Sequence, residues 1–433
     1  MQDLATISPG ILRVGHSHTR VTIVEPLARS TGHQSWFSGN LAEALLREGI
    51  PVTITTFDGM HDDADLAMQS FPCSSVRRIL PASPFWLRRI FTRLTGVPCG
   101  TLASPARARW QWQIFLYNIV ATASSVLSVR RHADRDGGGV VHLLCPPSRL
   151  VIGCLVGLSR RRTRWVITTF VSPSCFRGHI SKLRKMSRNR SLTIIVQTES
   201  LAREWANVLG PAAVRMIPLP SERIATSGGR GESRRILGLP EDLPIIAVIG
   251  CIAPAKGYIE LFEAIRDLPR DFRVLLIGDT GAWVSPDPRI VVQNAGWTEN
   301  TLFHLRFVPE SQMSVLFNAV DIVTLLYRQP NGSSGILSLC QRYGVPVLAT
   351  RFGEIGKQVI SHHLGLTADP HNPAEVRDAL TTLLSRTRDE VGIRCGAILP
   401  ASDEQLQPMS SWASVARAHV ALYDDLYTGK TSE

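Results

Sequence analysis

The chain has 433 residues, 44% of them apolar and 19% charged, a composition that suits a globular protein and excludes a disordered one. Its 47 Lys and Arg outnumber 36 Asp and Glu, and the net charge of +11 points to an anionic partner: nucleic acid, a membrane surface or a phosphorylated substrate. The eight cysteines are never closer than nine residues, which excludes C-x-x-C zinc, haem and dithiol chemistry, and no apolar run reaches the roughly 20 residues a spanning helix needs.

Length predicts two domains. The amino terminus MQDLATISPG has an acid at position 3 and no apolar core like that of a leader peptide, and the dispersed thiols read as reduced, so a cytoplasmic protein is expected. VTIVEP, from Val21 to Pro26, is the first predicted strand; the polar turn STGH follows, then a helix-period stretch from Trp36 to Glu48 that Gly49 ends. PVTITTF, from Pro51 to Phe57, is the next strand, and the whole is a β-loop-α-β unit with buried parallel strands. The same grammar recurs in VVHLLC at 140–145, a helix from Leu150 to Leu158, RWVITTF at 164–170, and LTIIVQT at 192–198 leading into the helix ESLAREWANVLG.

The segment from Leu66 to about His132 fits this grammar poorly. It contains no acid, and in FWLRRIFTRL (Phe85 to Leu94) a 100° step places Trp86, Leu87, Ile90, Phe91 and Leu94 on one arc with Arg88, Arg89 and Arg93 opposite. That pattern fits a helix lying in an anionic membrane interface, and it equally fits a core helix with a solvated arginine face.

After IPLP at 217–220 the stretch SERIATSGGRGESRR reads as a linker. A second set then begins: strand IIAVIGCIA, helix KGYIELFEAIRDL, strand RVLLIGD, helix PESQMSVLFNAV, strand DIVTLLY, helix SGILSLCQRYG and strand PVLAT. Two sets of alternating strands and helices predict an α/β protein of two Rossmann-like domains, with ligand in the cleft beyond the strand C-termini. The charge divides unevenly between them. From Leu66 to Thr198 there are 21 Arg and Lys and two acids, a net +19, which leaves −8 for the rest.

The most informative stretch runs from Tyr327 to Thr350. A strand ends at Tyr327, the small-residue loop Asn331 to Ser334 follows, and a helix opens near Gly335. Free amides and the positive dipole end at such a helix start suit a phosphate; a plain Ser-capped helix is the simpler alternative. Lys256 falls at another strand-to-helix junction, where a cation beside the positive dipole end is mildly unfavourable unless it meets an anion.

The run of strand, Lys256-Gly257, helix, then strand, Gly/Ser loop, helix and Gly344-Val345-Pro346 resembles the C-terminal domain of family-four glycosyltransferases, which have the GT-B fold. The resemblance extends to the turn with Gly32 and His33, to Thr198 and Glu199, and to SWASVARAHVALYDDLY (Ser411 to Tyr427), similar to a terminal helix that crosses back to the first domain. It implies a flexible stretch 1–14, an acceptor domain 15–220, a donor domain 221–406 and a returning helix 407–433. It implies transfer of a sugar from a nucleotide-diphospho-sugar, with retention of configuration and neither metal nor cofactor, to a glycan or lipid-linked acceptor, as in bacterial surface polysaccharide synthesis. His33 and Lys256 are the catalytic candidates. Gly32, Lys256, Arg328, Ser333, Ser334 and Gly335 are candidates for the donor diphosphate, and Asn331 and Gly332 for the donor sugar. Thr198 and Glu199, at another strand-to-helix junction, are candidates for the acceptor or cleft: Glu199 either orients the acceptor or binds a cleft-facing Arg, and it is equally an acid that the helix dipole favours in a first turn.

Two departures accompany the resemblance. Where the family usually has a pair of Glu, counting back from Gly344 gives Asn331 and Leu339; where it often has an Arg before the Lys loop, this chain has Cys251. Leu339 cannot hold a ribose, and Arg328 is the cation placed to stand in for the missing Arg. A catalytically silent nucleotide-sugar or glycan-binding subunit is therefore the alternative expectation. The acidic group Asp63 and Asp65 with His61 reads as a solvated loop, His16/His18 and His362/His363 lack a third metal ligand, and no Walker or G-x-S-x-G motif is present. Arg160 to Arg162 lacks the surrounding motif of a nucleic-acid binder, so the anionic partner is expected at a membrane surface, through Arg88, Arg89 and Arg93.

Overall fold

A computed structural model describes residues 21–25, 33–56, 77–78, 140–144, 164–189, 191–220, 228–278, 280, 286–306, 308, 312–328, 332, 334–389 and 410–428. The predicted helices at 85–94 and 150–158, the acidic loop at 61–65 and the arginine triplet at 160–162 lie outside the described residues.

The first half builds a seven-stranded sheet. Its strands are β1 (Val21–Glu25), β2 (Val52–Thr56), β3 (Arg77–Arg78), β4 (Val140–Leu144), β5 (Arg164–Thr168), β6 (Leu192–Val196) and β7 (Val214–Met216), in the order β3-β2-β1-β4-β5-β6-β7. Every described pairing is parallel. Successive residues of a strand point to opposite faces, so a strand covered on both sides must be apolar at every position. The alternate set Val21, Ile23, Val166 and Ile195 packs under α1 (His33–Arg47) and, from the far end of the chain, under a helix at Trp412–Thr428. The complementary set Val141, Leu143, Trp165 and Ile194 packs under α2 (Ile180–Arg188) and α3 (Glu199–Leu209).

The stretch read as a linker is in part a helix, α4 (Arg230–Leu237). Its composition is polar, yet Arg234 is fully buried. Nε donates to the Ala319 carbonyl at 2.9 Å, Nη1 to the Pro240, Glu241 and Leu243 carbonyls at 2.9, 2.9 and 2.7 Å, and Nη2 meets Asp321 at 2.5 Å. Asp321 also accepts from the Ile245 amide at 2.7 Å and pairs with Arg230 at 2.9 Å. One buried guanidinium thus ties α4 to the start of the second sheet.

That sheet has six parallel strands: β8 (Ile245–Ile249), β9 (Arg273–Ile277), β10 (Thr301–His304), β11 (Ile322–Leu325), β12 (Val347–Thr350) and β13 (Gly365–Ala368), ordered β10-β9-β8-β11-β12-β13. Between the strands run α5 (Tyr258–Ile265), α6 (Pro288–Asn294), α7 (Met313–Ala319), α8 (Gly335–Tyr343), α9 (Gly353–Ser361) and α10 (Pro373–Asp389). Ile245, Ala247, Val323 and Val347 face α7, α8 and α9; Ile246, Val248, Ile322 and Leu348 face α5 and α10.

The last helix, α11 (Trp412–Thr428), lies on the first sheet against α1, with Val415, Ala416, Val420 and Tyr423 in the core. A buried polar chain pins it there: His142 of β4 bonds the Tyr423 hydroxyl through Nδ1 at 2.6 Å and the Thr168 hydroxyl through Nε2 at 2.7 Å.

Candidate functional site

In the second sheet, β9 and β10 continue to one side of β8, while β11, β12 and β13 continue to the other. A parallel sheet opens a crevice at such a reversal, beyond the strand C-termini. The loops after β8 and β11 rim that crevice; the first carries Lys256, and Tyr327 and Ser334 flank the second.

Lys256 closes a short 3-10 turn, Pro254–Lys256, and Gly257 then starts α5 from the left-handed region at φ +78°. A Cβ on Gly257 would stand 1.9 Å from the Leu326 carbonyl oxygen, so only glycine lets the lysine loop sit on the end of β11. That approach brings Lys256 Nζ within 2.7 Å of the Tyr327 hydroxyl and 4.0 Å of the centre of its ring. The Tyr327 hydroxyl in turn lies 3.2 Å from Ser334 Oγ. An ammonium only donates, so Tyr327 accepts from Lys256 and has its own proton available for Ser334.

Ser334 is the N-cap of α8: its hydroxyl accepts from the Leu337 amide at 3.4 Å, and its φ and ψ are extended. The Gly335 and Ile336 amides head the helix without an intrahelical acceptor. A cation, a phenol, a capping hydroxyl and a helix dipole therefore meet at one place, which is the arrangement that holds an anionic group such as phosphate.

Arg328 follows directly. Its amide donates to the Ala255 carbonyl at 3.3 Å, and its Nε pairs with Glu260 at 2.9 Å. Glu260 is 5% exposed on α5; burial, the largest influence, raises its pKa, while its backbone hydrogen bond and Arg328 act in the opposite direction.

Gly332 marks where the two halves touch. It forms an isolated antiparallel bridge with Val171, and a Cβ there would lie 1.6 Å from the Phe170 carbonyl oxygen. The Val171 carbonyl is itself held by the Trp205 indole at 3.1 Å. Ser338 to the Pro220 carbonyl at 2.7 Å and Lys357 to Ser200 at 3.2 Å are further links between the halves.

Lys256, Arg328, Ser334 and Gly335 are thus brought together by the structure. Gly32, Asn331 and Ser333 lie outside the described residues, as do Arg88, Arg89 and Arg93; His33 is the first residue of α1, after β1, at the corresponding reversal of the first sheet. Thr198 is spent on capping α3, where it accepts from the Leu201 amide at 3.3 Å, and exposed Glu199 leans toward Arg203 on its own helix at 3.9 Å. Leu339 is buried among apolar residues with Cys340 and Tyr343, and Cys251 is exposed just past β8. Tyr327 and Glu260 carry no predicted role. The signals available for them were a phenol at the end of a strand beside the reversal, and an acid on the apolar face of the helix that follows Lys256.

Residues 229–393 match the model of a family described as glycosyl transferases group 1. A D-inositol 3-phosphate glycosyltransferase of Corynebacterium glutamicum is 32% identical over 227 residues, 51% of this chain and 51% of that protein. The chain spans about half the length of the curated relatives it matches. A sucrose-phosphate synthase from Thermosynechococcus elongatus superposes with a TM-score of 0.67 at 16% identity, covering 95% of this chain and all of that one. Anabaena HepE, solved with UDP and glucose, gives a TM-score of 0.57 at 14% identity, covering 95% and 97% of the two chains. Residues 229–393 thus carry the sequence pattern of the group 1 glycosyltransferases, and nearly the whole chain shares the two-sheet fold of solved glycosyltransferases.

Proposed function

We propose that the protein transfers a sugar from a nucleoside-diphosphate donor held at the Lys256, Tyr327 and Ser334 chain to an acceptor bound on the first sheet's side of the crevice. The observation that carries this is the convergence of Lys256 Nζ, the Tyr327 hydroxyl and the Ser334 cap at the opening of α8. As the bond from the sugar's anomeric carbon to the diphosphate breaks, negative charge gathers on the departing oxygen. Lys256 and the leading amides of α8 are pre-set to stabilise it, and such stabilisation is the largest single contribution to many enzymatic rates. The acceptor hydroxyl forms the new bond to that carbon with retention of configuration and gives its proton to the departing diphosphate oxygen, and His33 is the candidate to contact the reacting sugar.

The family description and the UDP and glucose bound to HepE support a nucleotide-sugar donor. For the acceptor, the curated relatives are named for D-inositol 3-phosphate, an anion, and the +19 block of this chain falls in its first half. We therefore place the acceptor among negatively charged glycans or lipid-linked glycans met at the inner membrane face. Flotation with anionic vesicles tests the membrane part of this reading; equal flotation with neutral vesicles would count against it.

A heat-stability screen against UDP, GDP, dTDP and CMP identifies the donor base. Lys256→Ala is expected to lower turnover at least a hundredfold, in the range of one lost transition-state donor, with the melting temperature nearly unchanged. Undiminished turnover in that variant would sink the assignment. The burial of Leu339 in an apolar cluster favours a second reading, a nucleotide-sugar-binding subunit without transfer activity. Transfer and donor hydrolysis assayed across several nucleotide-sugars separate the two, since only the first reading predicts product.

A further inference from the structure

Glu260 is an anomaly on its helix. Tyr258, Leu261, Phe262, Ala264 and Ile265 are the other buried residues of α5, all of them members of one apolar cluster, and Glu260 is buried beside them at 5% exposure. A carboxylate at such a position carries a desolvation cost that leucine would not. Glu260 Oε1 forms an ion pair with Arg328 Nε at 2.9 Å, and among the described residues Oε2 has no hydrogen-bond partner.

Arg328 is held in an unusual way. Its main chain is tied by its amide to Ala255, next to Lys256, and its side chain by Nε alone to Glu260. Among the described residues neither Nη group is engaged, and the side chain is 47% exposed. A surface arginine kept for stability would offer its fork of two donors to the carboxylate. Here the buried acid meets the inner nitrogen, and the arginine side chain stays about half exposed. A guanidinium held through Nε keeps two Nη groups with which arginine can grip two oxygens of one phosphate.

We infer that Glu260 is a positioning residue: buried in α5, it orients Arg328 through Nε so that the free Nη groups meet the diphosphate of the donor beside Lys256. The inference rests on the donor reading above and adds a residue to it. Burial raises the pKa of Glu260, and its backbone hydrogen bond and the Arg328 cation act against that rise. Glu260 touches no substrate; it works through Arg328 only.

The test is titration calorimetry on the full chain with two probes: inorganic pyrophosphate, and whichever nucleoside diphosphate stabilises the wild type most in the heat screen. The matching nucleoside, without phosphate, is the control. Glu260→Gln and Arg328→Gln are each expected to weaken both phosphorylated probes about tenfold, as for loss of a hydrogen bond to a charged group, and to leave the nucleoside unaffected. The double variant should be no weaker than Arg328→Gln alone, because both changes interrupt one interaction. In steady-state assays the donor KM should rise more than kcat falls. Glu260→Leu, which matches the surrounding apolar face, is the second variant should the Gln form fail to fold, and the same loss is expected of it. Wild-type affinity in a folded Glu260 variant would overturn the inference, as would unchanged binding in Arg328→Gln or full additivity in the double variant. If the wild type binds neither pyrophosphate nor any nucleoside diphosphate, the donor reading itself fails, and the role of Glu260 falls with it.

Discussion

Tyr327 is the residue on which the candidate site turns. Its ring gives the Lys256 ammonium a face to lie on at 4.0 Å, and its hydroxyl relays from that ammonium to the α8 cap. A lysine stem has four freely rotating bonds, and fixing its tip ahead of ligand binding removes an entropic cost that binding would otherwise carry. Tyr327→Phe keeps the ring and removes the relay. It should lower turnover about tenfold while changing stability by about 1 kcal/mol or less, since one partly exposed hydrogen bond is lost. Equal turnover in the two proteins would mean that the phenol only packs. Lys256 itself was legible from the sequence, because a cation at a helix start is energetically awkward without an anion. Its partner was not, because nothing in the spacing of positions 256 and 327 says that Gly257 lets the two loops touch.

At the scale of elements, the sequence pattern found the strands in the middle of each sheet and missed those at the edges. β3, β7, β10 and β13 are the four edge strands, and none was predicted. Central strands are covered on both faces and must be apolar throughout, whereas β10 and β13 are only partly buried along their length and carry no continuous apolar run. Helix α4 was missed for a different reason. Gly228, Gly229 and Gly231 with Arg230, Arg234 and Arg235 read as a solvated linker, and only the tertiary structure brings Asp321 and four carbonyls to Arg234. Removing one member of such a buried cluster leaves the others without partners. Arg234→Met is expected to cost about 3–5 kcal/mol in denaturant unfolding, far more than Arg235→Met on the exposed side of the same helix. Similar losses in the two variants would show that the buried network contributes little.

For the whole molecule, the decisive long-range contact is α11 against the first sheet. His142 and Tyr423 are 281 positions apart and bond at 2.6 Å, and the His419 ring lies 5.5 Å from His142. Burial lowers the pKa of His142 well below its ordinary value, with His419 adding to the effect, and burial brings His419 down to about 4 although its bond to the Val415 carbonyl opposes this. Both rings are therefore neutral in the folded protein and titrate near 6.5 once unfolded. Below that pH the unfolded chain takes up protons that the folded chain does not, so the stability they contribute is full above about 6.5 and declines as pH falls toward about 4. For His419 alone the decline is on the order of 3 kcal/mol. Among the described residues His419 Nε2 is buried without a hydrogen-bond partner, so His419→Leu should be tolerated at neutral pH and should flatten the fall in melting temperature between pH 6.5 and 4.5. A variant that tracks the wild type throughout would assign acid sensitivity elsewhere.

The basic character is also a property of the whole molecule. Of the +19 block, α2 exposes Lys182, Arg184, Lys185 and Arg188 with no acid on the helix, so at least part of that charge forms one surface of the first half. The formal charge of the chain says only that an anion is attracted; the division between the halves says which side meets it.

What the sequence determined by itself was the set of parallel β-α units and the two loops where an anion would bind. Both follow from local physics: a strand covered on two faces must be apolar, and a helix start with small residues presents unpaired amides. The tertiary structure alone decided which side chains complete those loops. Tyr327 reaches Lys256 because Gly257 admits the Leu326 carbonyl, Glu260 pairs with Arg328 from inside an apolar helix, and Gly332 meets Val171 across the crevice. These contacts join residues from 68 to 281 positions apart, counting the His142 and Tyr423 pair, and they depend on how the elements pack. Periodicity, propensity and charge act over a few turns of chain and carry no record of that packing.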